Sequence, residues 1–288
     1  MNNQIGIWGS GPWRDEAKAG EAVDVAAEIE QLGFTSLWLS AGFGVGIPAR
    51  FSQLLKATTR ITVATGILSI WHASPEDTAH AVADLDTRFP GRFTLGLGAS
   101  HAPLVEALSV RYERPYSQMV EYLTALDGQR PPVRADQRVL AALGPRMLTL
   151  AGERAAGAHP YFVPVAHTEF ARTTLGPGPK LYPEQAIVFE TDPDRARTIA
   201  RGHTTSYLRL PNYTNNLRRF GFGDADFLDG GSDRLVDAIV AWGDESAIHS
   251  RVEQHLAAGA DQVLIQVINE TLDQFPTAEY RRLAALLS

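Results

Sequence analysis

Residues 61–104 read ITVATGILSIWHASPEDTAHAVADLDTRFPGRFTLGLGASHAPL. β-Branched Ile61, Thr62, Val63 and Thr65 form a strand, Pro75 opens a helix, and the apolar run Phe93–Leu97 follows the Pro90-Gly91 turn as a second strand. Gly66 ends the first strand, and Gly96 and Gly98 punctuate the second, so the backbone there is free to bend or to approach a flat ligand. A right-handed helical crossover sets the two strand ends side by side, on the edge where α/β proteins hold ligands. A site is expected near Gly66 and Gly98.

Outward from this unit the same alternation repeats. Gln4–Trp8 is a strand closed by Gly9, and Ala22, Val25, Ala26, Ile29 and Leu32 recur at helical spacing before Gly33. Ser36–Leu39 is the second strand, and a helix over about 48–58 follows it. Downstream, the pattern predicts strands at 139–143, 158–162, 185–190 and 262–267. The stretch 194–245 is too long for a loop, so a helical insertion between strands seven and eight is expected. Eight strands alternating with helices predict an α/β chain folded as one (β/α)8 barrel over residues 1–288. Its length of 288 residues is ordinary for that fold.

The bulk properties narrow the function. A hydrophobic fraction of 44% with 20% charged residues is globular, and a net charge of −7 argues against a nucleic-acid partner. The chain has no cysteine, which removes disulfides and thiolate nucleophiles. No basic leader and no run of 18 apolar residues occurs, so a cytoplasmic protein without a membrane partner is expected. A metal-dependent hydrolase would place paired histidines on the first strand; Gln4-Ile5-Gly6-Ile7 has none, and no metal site is expected. No G-x-S-x-G elbow appears either.

Several strand ends carry candidate chemistry. Gly98-Ala99-Ser100-His101 combines small residues with a hydroxyl and an imidazole that can exchange a proton near neutrality, which makes His101 the catalytic candidate, with a structural role as the alternative. Ala141, Leu143, Gly144, Pro145 and Arg146 form a strand-to-helix junction whose free N–H groups suit a phosphate, although Pro at a first helical position explains the same letters. Trp8, Trp71, His159 and Tyr161 either line a substrate pocket or are plain core. Tyr207, Tyr213 and Phe220 are a lid or a dimer surface.

The strand end Thr65-Gly66-Ile67, the segment PGRFTLGLGASHAP and the run RVLAALGPRMLTLAGERAAGAHPY together resemble the bacterial-luciferase-like family of flavin and deazaflavin oxidoreductases. With LPNYTNNLRRFGF and SDRLVDAIVAWGDE added, the chain is most similar to an actinobacterial branch thought to use the deazaflavin coenzyme F420. The resemblance implies hydride transfer between F420 and a small-molecule substrate in a homodimer. The alternatives are an FMN-dependent monooxygenase and a barrel that binds a flavin without turnover. It also implies a non-proline cis peptide at Gly66-Ile67, and cofactor contacts from Ala41, Gly42, Thr65, Gly66, Ile67, Gly98, Ala99, Ser100, His101, Ala141, Leu143, Gly144, Pro145 and Arg146. Two departures stand out: Ala41 and Gly42 replace an acidic residue and a histidine common after strand two, and His101 replaces a carboxylate. Loss of a base there disfavours alcohol oxidation relative to reduction of an activated double bond or monooxygenation.

Overall fold

The strands are short and apolar on both faces, as expected of a parallel sheet covered by helices outside and filled by side chains inside. The computed structural model describes residues 4–40, 47–271 and 273–287, so the expectations for Ala41 and Gly42 lie outside the described residues. Strands one to six are Ile5–Gly9, Ser36–Leu39, Thr62–Thr65, Phe93–Gly98, Arg138–Leu140 and Gly157–Ala158. Each pairs in parallel with the next. Strand six also pairs with Lys180–Leu181, whose chain runs through Tyr182-Pro183 into strand seven, Glu184–Val188. Strand seven pairs with strand eight, Val263–Val267, and strand eight pairs with strand one. The ring is closed, and the (β/α)8 barrel is the fold.

Several boundaries differ from expectation, and strand seven ends at Val188 rather than at residue 190. Strand five stops at Leu140 and strand six at Ala158, because Pro160 and a left-handed Phe162 (φ 58°) turn the chain away from its neighbours. The 194–245 stretch holds the helices Pro193–Tyr207, Pro211–Arg218 and Asp233–Ile239, and also a strand, Val240–Trp242, that pairs in parallel with strand seven. That last strand was not foreseen. Among the described residues no helix is long and apolar enough to cross a membrane, and no group of three metal-ligating side chains occurs.

Period-two alternation sorts the side chains. Ile5, Ile7, Leu37, Leu39, Val63, Leu95 and Leu97 belong to the large core cluster shared with the helices. Trp8, Trp38, Ala64, Val139 and Leu264 form a separate cluster inside the ring. Trp38 packs 5.0 Å from His159 and 5.4 Å from Tyr182 between ring centroids, and Trp8 lies 4.9 Å from Tyr161. Bulky indoles are accommodated because other inward positions are glycine. A Cβ on Gly96 would lie 1.9 Å from the Thr65 carbonyl oxygen. The Thr65 hydroxyl occupies the same junction, donating to Gly96 O (2.7 Å) and accepting from Gly96 N (2.8 Å). Gly96→Ala is expected to cost about 3 kcal/mol, read as a lowered denaturation midpoint. Gly20→Ala, where nothing lies within 4 Å of the added carbon, should be neutral or slightly stabilising. A loss below about 1 kcal/mol in Gly96→Ala would contradict this packing.

Buried ionisable groups set the pH dependence of stability. His159, His167 and His255 are at most 2% exposed. Burial holds the first two imidazoles at about 4 and the third at about 3, against an ordinary 6.5. Each is neutral in the folded chain and protonated in the unfolded chain between those values, so its stability is complete above pH 6.5 and is lost as pH falls toward 4. Glu184 has the opposite sign. Burial raises its carboxyl to about 8 despite the Phe162 N–H that donates to it, so its contribution is complete below 4.5 and is lost as pH rises toward 8. Denaturation midpoints should therefore peak near pH 6.5, fall steeply toward pH 4.5 and fall gently toward pH 8. Glu184→Gln should abolish only the alkaline decline. A wild-type midpoint that is flat between pH 5 and 6.5 would refute the assignment.

Candidate active site

The carboxyl ends of the strands surround a cavity of about 390 Å³. Gly66, Ile67, Gly98 and Ala141 contribute to its floor, and Trp8, His159 and Tyr161 to one wall. Leu210, Asn212 and Tyr213, at and within the helix Pro211–Arg218, stand across from them. The floor is shaped by close contacts that only glycine permits. A Cβ at Gly66 would fall 2.6 Å from Trp8 Nε1, and one at Gly98 would fall 2.6 Å from Ile67 Cδ1. The Gly66-Ile67 peptide between them is cis, as the family resemblance implies. Trp8 Nε1 is buried and has no hydrogen-bond partner among the described residues. A buried donor left open on a cavity wall suits a ligand's acceptor.

His101 is presented by a fixed turn. Ser100 takes a left-handed conformation (φ 59°) that non-glycine residues adopt only when their surroundings hold them there. Two aromatic donors supply that hold: Trp71 Nε1 donates to Ala99 O (2.7 Å) and the Tyr112 hydroxyl donates to Ser100 O (3.2 Å). His101 Nδ1 lies 2.9 Å from Asn212 Oδ1, and its ring lies 5.2 Å from Tyr213. As the amide is placed, Oδ1 can only accept, which fixes the proton on Nδ1 and leaves Nε2 as a free lone pair. Burial lowers the imidazole's pKa below 6.5 and outweighs the opposing bond from Asn212, so His101 is neutral at pH 7.

A hydrogen-bonded chain runs along the opposite wall. The Tyr161 hydroxyl is 2.8 Å from both the Tyr207 hydroxyl and Gln266 Oε1, and Gln266 Nε2 donates to Ser10 Oγ at 3.0 Å. Tyr161 has one proton and Gln266 Oε1 only accepts, so satisfying both contacts requires Tyr207 to donate to Tyr161. Burial raises Tyr161 well above 10 and raises Tyr207 as well, so both stay protonated.

Most of the expected residues converge. Trp8, Gly66, Ile67, Gly98, Ala99, Ser100, His101, Ala141, Leu143, His159 and Tyr161 all line this cavity. Five do not. Thr65 is fully buried and its hydroxyl is used by Gly96; Trp71 stands behind Ala99 as a support. Pro145 and Arg146 face solvent, and the Arg146 guanidinium stacks 4.1 Å over the Tyr116 ring. Gly144 lies beyond the cavity as the N-cap of the helix Pro145–Arg154, whose Arg146 and Met147 N–H groups begin the helix unpaired. Sequence reading missed Arg14, which lines the cavity, and it missed Arg219. Its Nη1 lies 3.4 Å from where a Gly144 Cβ would be, and it is exposed, with no hydrogen-bond or ion-pair partner among the described residues. Asn212, Tyr207 and Tyr213 were likewise not assigned to the site. Only the fold brings residues 207–219 to strand ends more than 60 positions earlier.

The luciferase-like monooxygenase family model matches residues 7–262. A 5,10-methylenetetrahydromethanopterin reductase of Archaeoglobus fulgidus is 23% identical over 280 residues, covering 84% of this chain and 82% of its own. Among solved structures, the coenzyme F420-dependent tetrahydromethanopterin reductase of Methanopyrus kandleri is similar at a TM-score of 0.74 and 16% identity, covering 99% of this chain and 98% of that one. The oxygenating constituent of 3,6-diketocamphane monooxygenase from Pseudomonas putida, solved with FMN, is similar at 0.69 and 16%, covering 100% and 97%. The closed barrel, the glycine-floored cavity at its strand ends and the family match over most of the chain agree: this chain belongs to the luciferase-like monooxygenase family of oxidoreductases.

Proposed function

We propose that the chain is an oxidoreductase that binds coenzyme F420 in the strand-end cavity and exchanges a hydride with a small organic substrate. The observation that carries this reading is a glycine-floored cavity with one orphaned buried donor, Trp8 Nε1, and an unpaired cation, Arg219, beside the helix start at Gly144. A tricyclic ring needs the first feature and an acceptor for the second, and a phosphodiester needs the third. Gly66, Ile67, Gly98, Ala99, Ser100, Ala141 and Leu143 would contact the ring and its chain, while Gly144, the Arg146 backbone and the Arg219 guanidinium would hold the phosphate. The exposure of Arg219 favours a phosphodiester that continues toward solvent over the terminal phosphate of FMN. Similarity to both F420-dependent and FMN-containing proteins supports this choice of cofactors.

When bound, the deazaflavin supplies or takes the hydride. The chain's own residues handle binding and protons. Trp8, His159 and Tyr161 close the wall and exclude water. The Tyr207–Tyr161 pair, its protons committed to Tyr161 and to Gln266, holds the wall neutral and fixed. His101, neutral with an open Nε2, accepts a proton rather than donating one. The same reading makes the enzyme a cytoplasmic homodimer.

Equilibrium titrations of the purified protein should show saturable binding of F420 that is tighter than binding of FMN; tighter FMN would favour the monooxygenase reading. Arg219→Ala and Gly144→Val should each weaken F420 binding by about 10- to 100-fold with unchanged thermal midpoints. Binding unaffected in both would remove the phosphate assignment. For His101→Ala, cofactor affinity should change less than threefold while the ring-reduction or reoxidation half-reaction slows by about 10²- to 10⁴-fold. The wild-type half-reaction should lose rate on the acid side of pH 6.5, as the imidazole gains a proton. Equal half-reaction rates for wild type and variant across pH 5–8 would exclude a catalytic His101.

A further inference from the structure

A second cavity, of about 560 Å³, opens between the segment after strand one, the helix Pro193–Tyr207 and the segment after strand eight. It shares two lining residues with the strand-end cavity, Trp8 and Tyr207, so the two cavities adjoin at these side chains. Its volume lies within the range of about 300 to 1,000 Å³ that small-molecule pockets occupy.

The wall combines apolar side chains with several uncharged polar ones and holds no cation among the described residues. Ser206, Asn269 and Gln274 line it with side chains that have no hydrogen-bond partner among the described residues, and Gln266 and Ser10 complete the tyrosine chain at its inner edge. His203 lines it too. Its Nε2 is buried without a partner, its ring packs 4.9 Å from Tyr207, and burial holds it near 4, so it is uncharged at neutral pH. No Lys or Arg belongs to the lining among the described residues; of the arginines adjacent in sequence to lining residues, Arg14 lines the other cavity, Arg197 pairs with Asp233 and Asp237, Arg201 with Asp233, and Arg281 with Glu28. The undescribed segments 1–3 and 41–46, together with Leu272, have no charged side chains to add. Glu270 is the ionisable acid in the wall, and a carboxylate there repels anions.

We propose that this chamber is the substrate site and that it accepts uncharged organic molecules bearing carbonyl or hydroxyl oxygens, rejecting phosphorylated and carboxylated ones. The proposal rests on the reading that places the cofactor in the strand-end cavity, because the substrate then approaches the ring where the two cavities adjoin, at Trp8 and Tyr207. Ser206, Asn269, Gln274 and His203 supply hydrogen bonds to a neutral oxygen function, and a phosphate would find only the Glu270 carboxylate in place of a counterion.

Gly202 offers a test that leaves the fold intact. It lines the chamber from an exposed helical position, and nothing lies within 4 Å of a Cβ added there, so a larger side chain projects into open space. The probes are 2-methyl-1,4-naphthoquinone and its 3-sulfonate, with binding to the purified protein read as saturable quenching of tryptophan fluorescence, since Trp8 and Trp13 line the chamber. The uncharged quinone should bind at least tenfold tighter than the sulfonate. Gly202→Phe should weaken the uncharged quinone at least tenfold and leave F420 affinity within twofold, while Ser206→Lys should bring the sulfonate close to the affinity of the uncharged quinone. Circular dichroism and thermal midpoints check that the variants are folded, and Gly202→Ala serves as a mild control. Failure of the uncharged quinone to bind, equal binding of both quinones, or unchanged quinone affinity in Gly202→Phe would overturn the chamber assignment. Loss of F420 binding in Gly202→Phe would place the cofactor in this chamber and overturn it as well. Absence of F420 binding in the wild type would instead remove the cofactor reading, and the quinone series would still decide the selectivity of the chamber.

Discussion

Strands three and four approach so closely at their carboxyl ends that Gly96 has no room for a side chain against the Thr65 carbonyl oxygen. The rest of the site follows from that contact. Because the Thr65 hydroxyl bridges both backbone groups of Gly96, the two strand ends are held together, and Ile67 packs over Gly98 without obstruction. Gly66 in turn leaves space for the Trp8 indole, which could not lie there over any larger residue. The barrel interior is thus filled by tryptophans from strands one and two exactly where strands three and four supply none, and the leftover volume becomes the cavity.

The electrostatics of the interior follow from burial rather than from pairing. His159 and His203 are kept neutral, Tyr161, Tyr207 and Tyr213 stay protonated, and Glu184 retains its proton through neutral pH, each chiefly because its charged form would be desolvated. The buried groups of both chambers consequently offer hydrogen bonds without charge, while among the described residues Arg14 lines the strand-end cavity and Glu270 lines the second chamber. A further cation, Arg219, stands outside the strand-end cavity, next to a helix start. Cations at that cavity and at its edge suit a ligand with an anionic tail.

Much of this was legible in the chain. The eight strands and their order follow from β-branched runs alternating with helical spacing, and the glycines at 66 and 98 mark the site because strand ends of a barrel converge there. Side-chain direction was less legible. Thr65 and Trp71 sit at the right strand end, yet one points into the backbone junction and the other behind Ala99, a choice made by tertiary packing. Arg146 belongs to the junction expected to suit a phosphate, but its guanidinium stacks over Tyr116. Arg219 and Asn212 were invisible, and Tyr207 was read only as part of a lid or a dimer surface, because their proximity to the strand ends depends on how the helices 193–207 and 211–218 fold back over the barrel mouth, and no local pattern encodes that. Strand six was read two turns of the pleat too long because a left-handed Phe162 has no signature in its residue type.

The central claim is that the glycine-floored cavity holds the deazaflavin ring while the neighbouring chamber stays free for substrate. A crystal structure of the protein grown with coenzyme F420 tests it most directly. The account predicts the ring against Gly66, Ile67 and Gly98 with an acceptor on Trp8 Nε1, and the phosphodiester between the Gly144 helix start and the Arg219 guanidinium. A ring seated instead among Gly202, His203 and Asn269, or a phosphate bound away from Gly144 and Arg219, would contradict it.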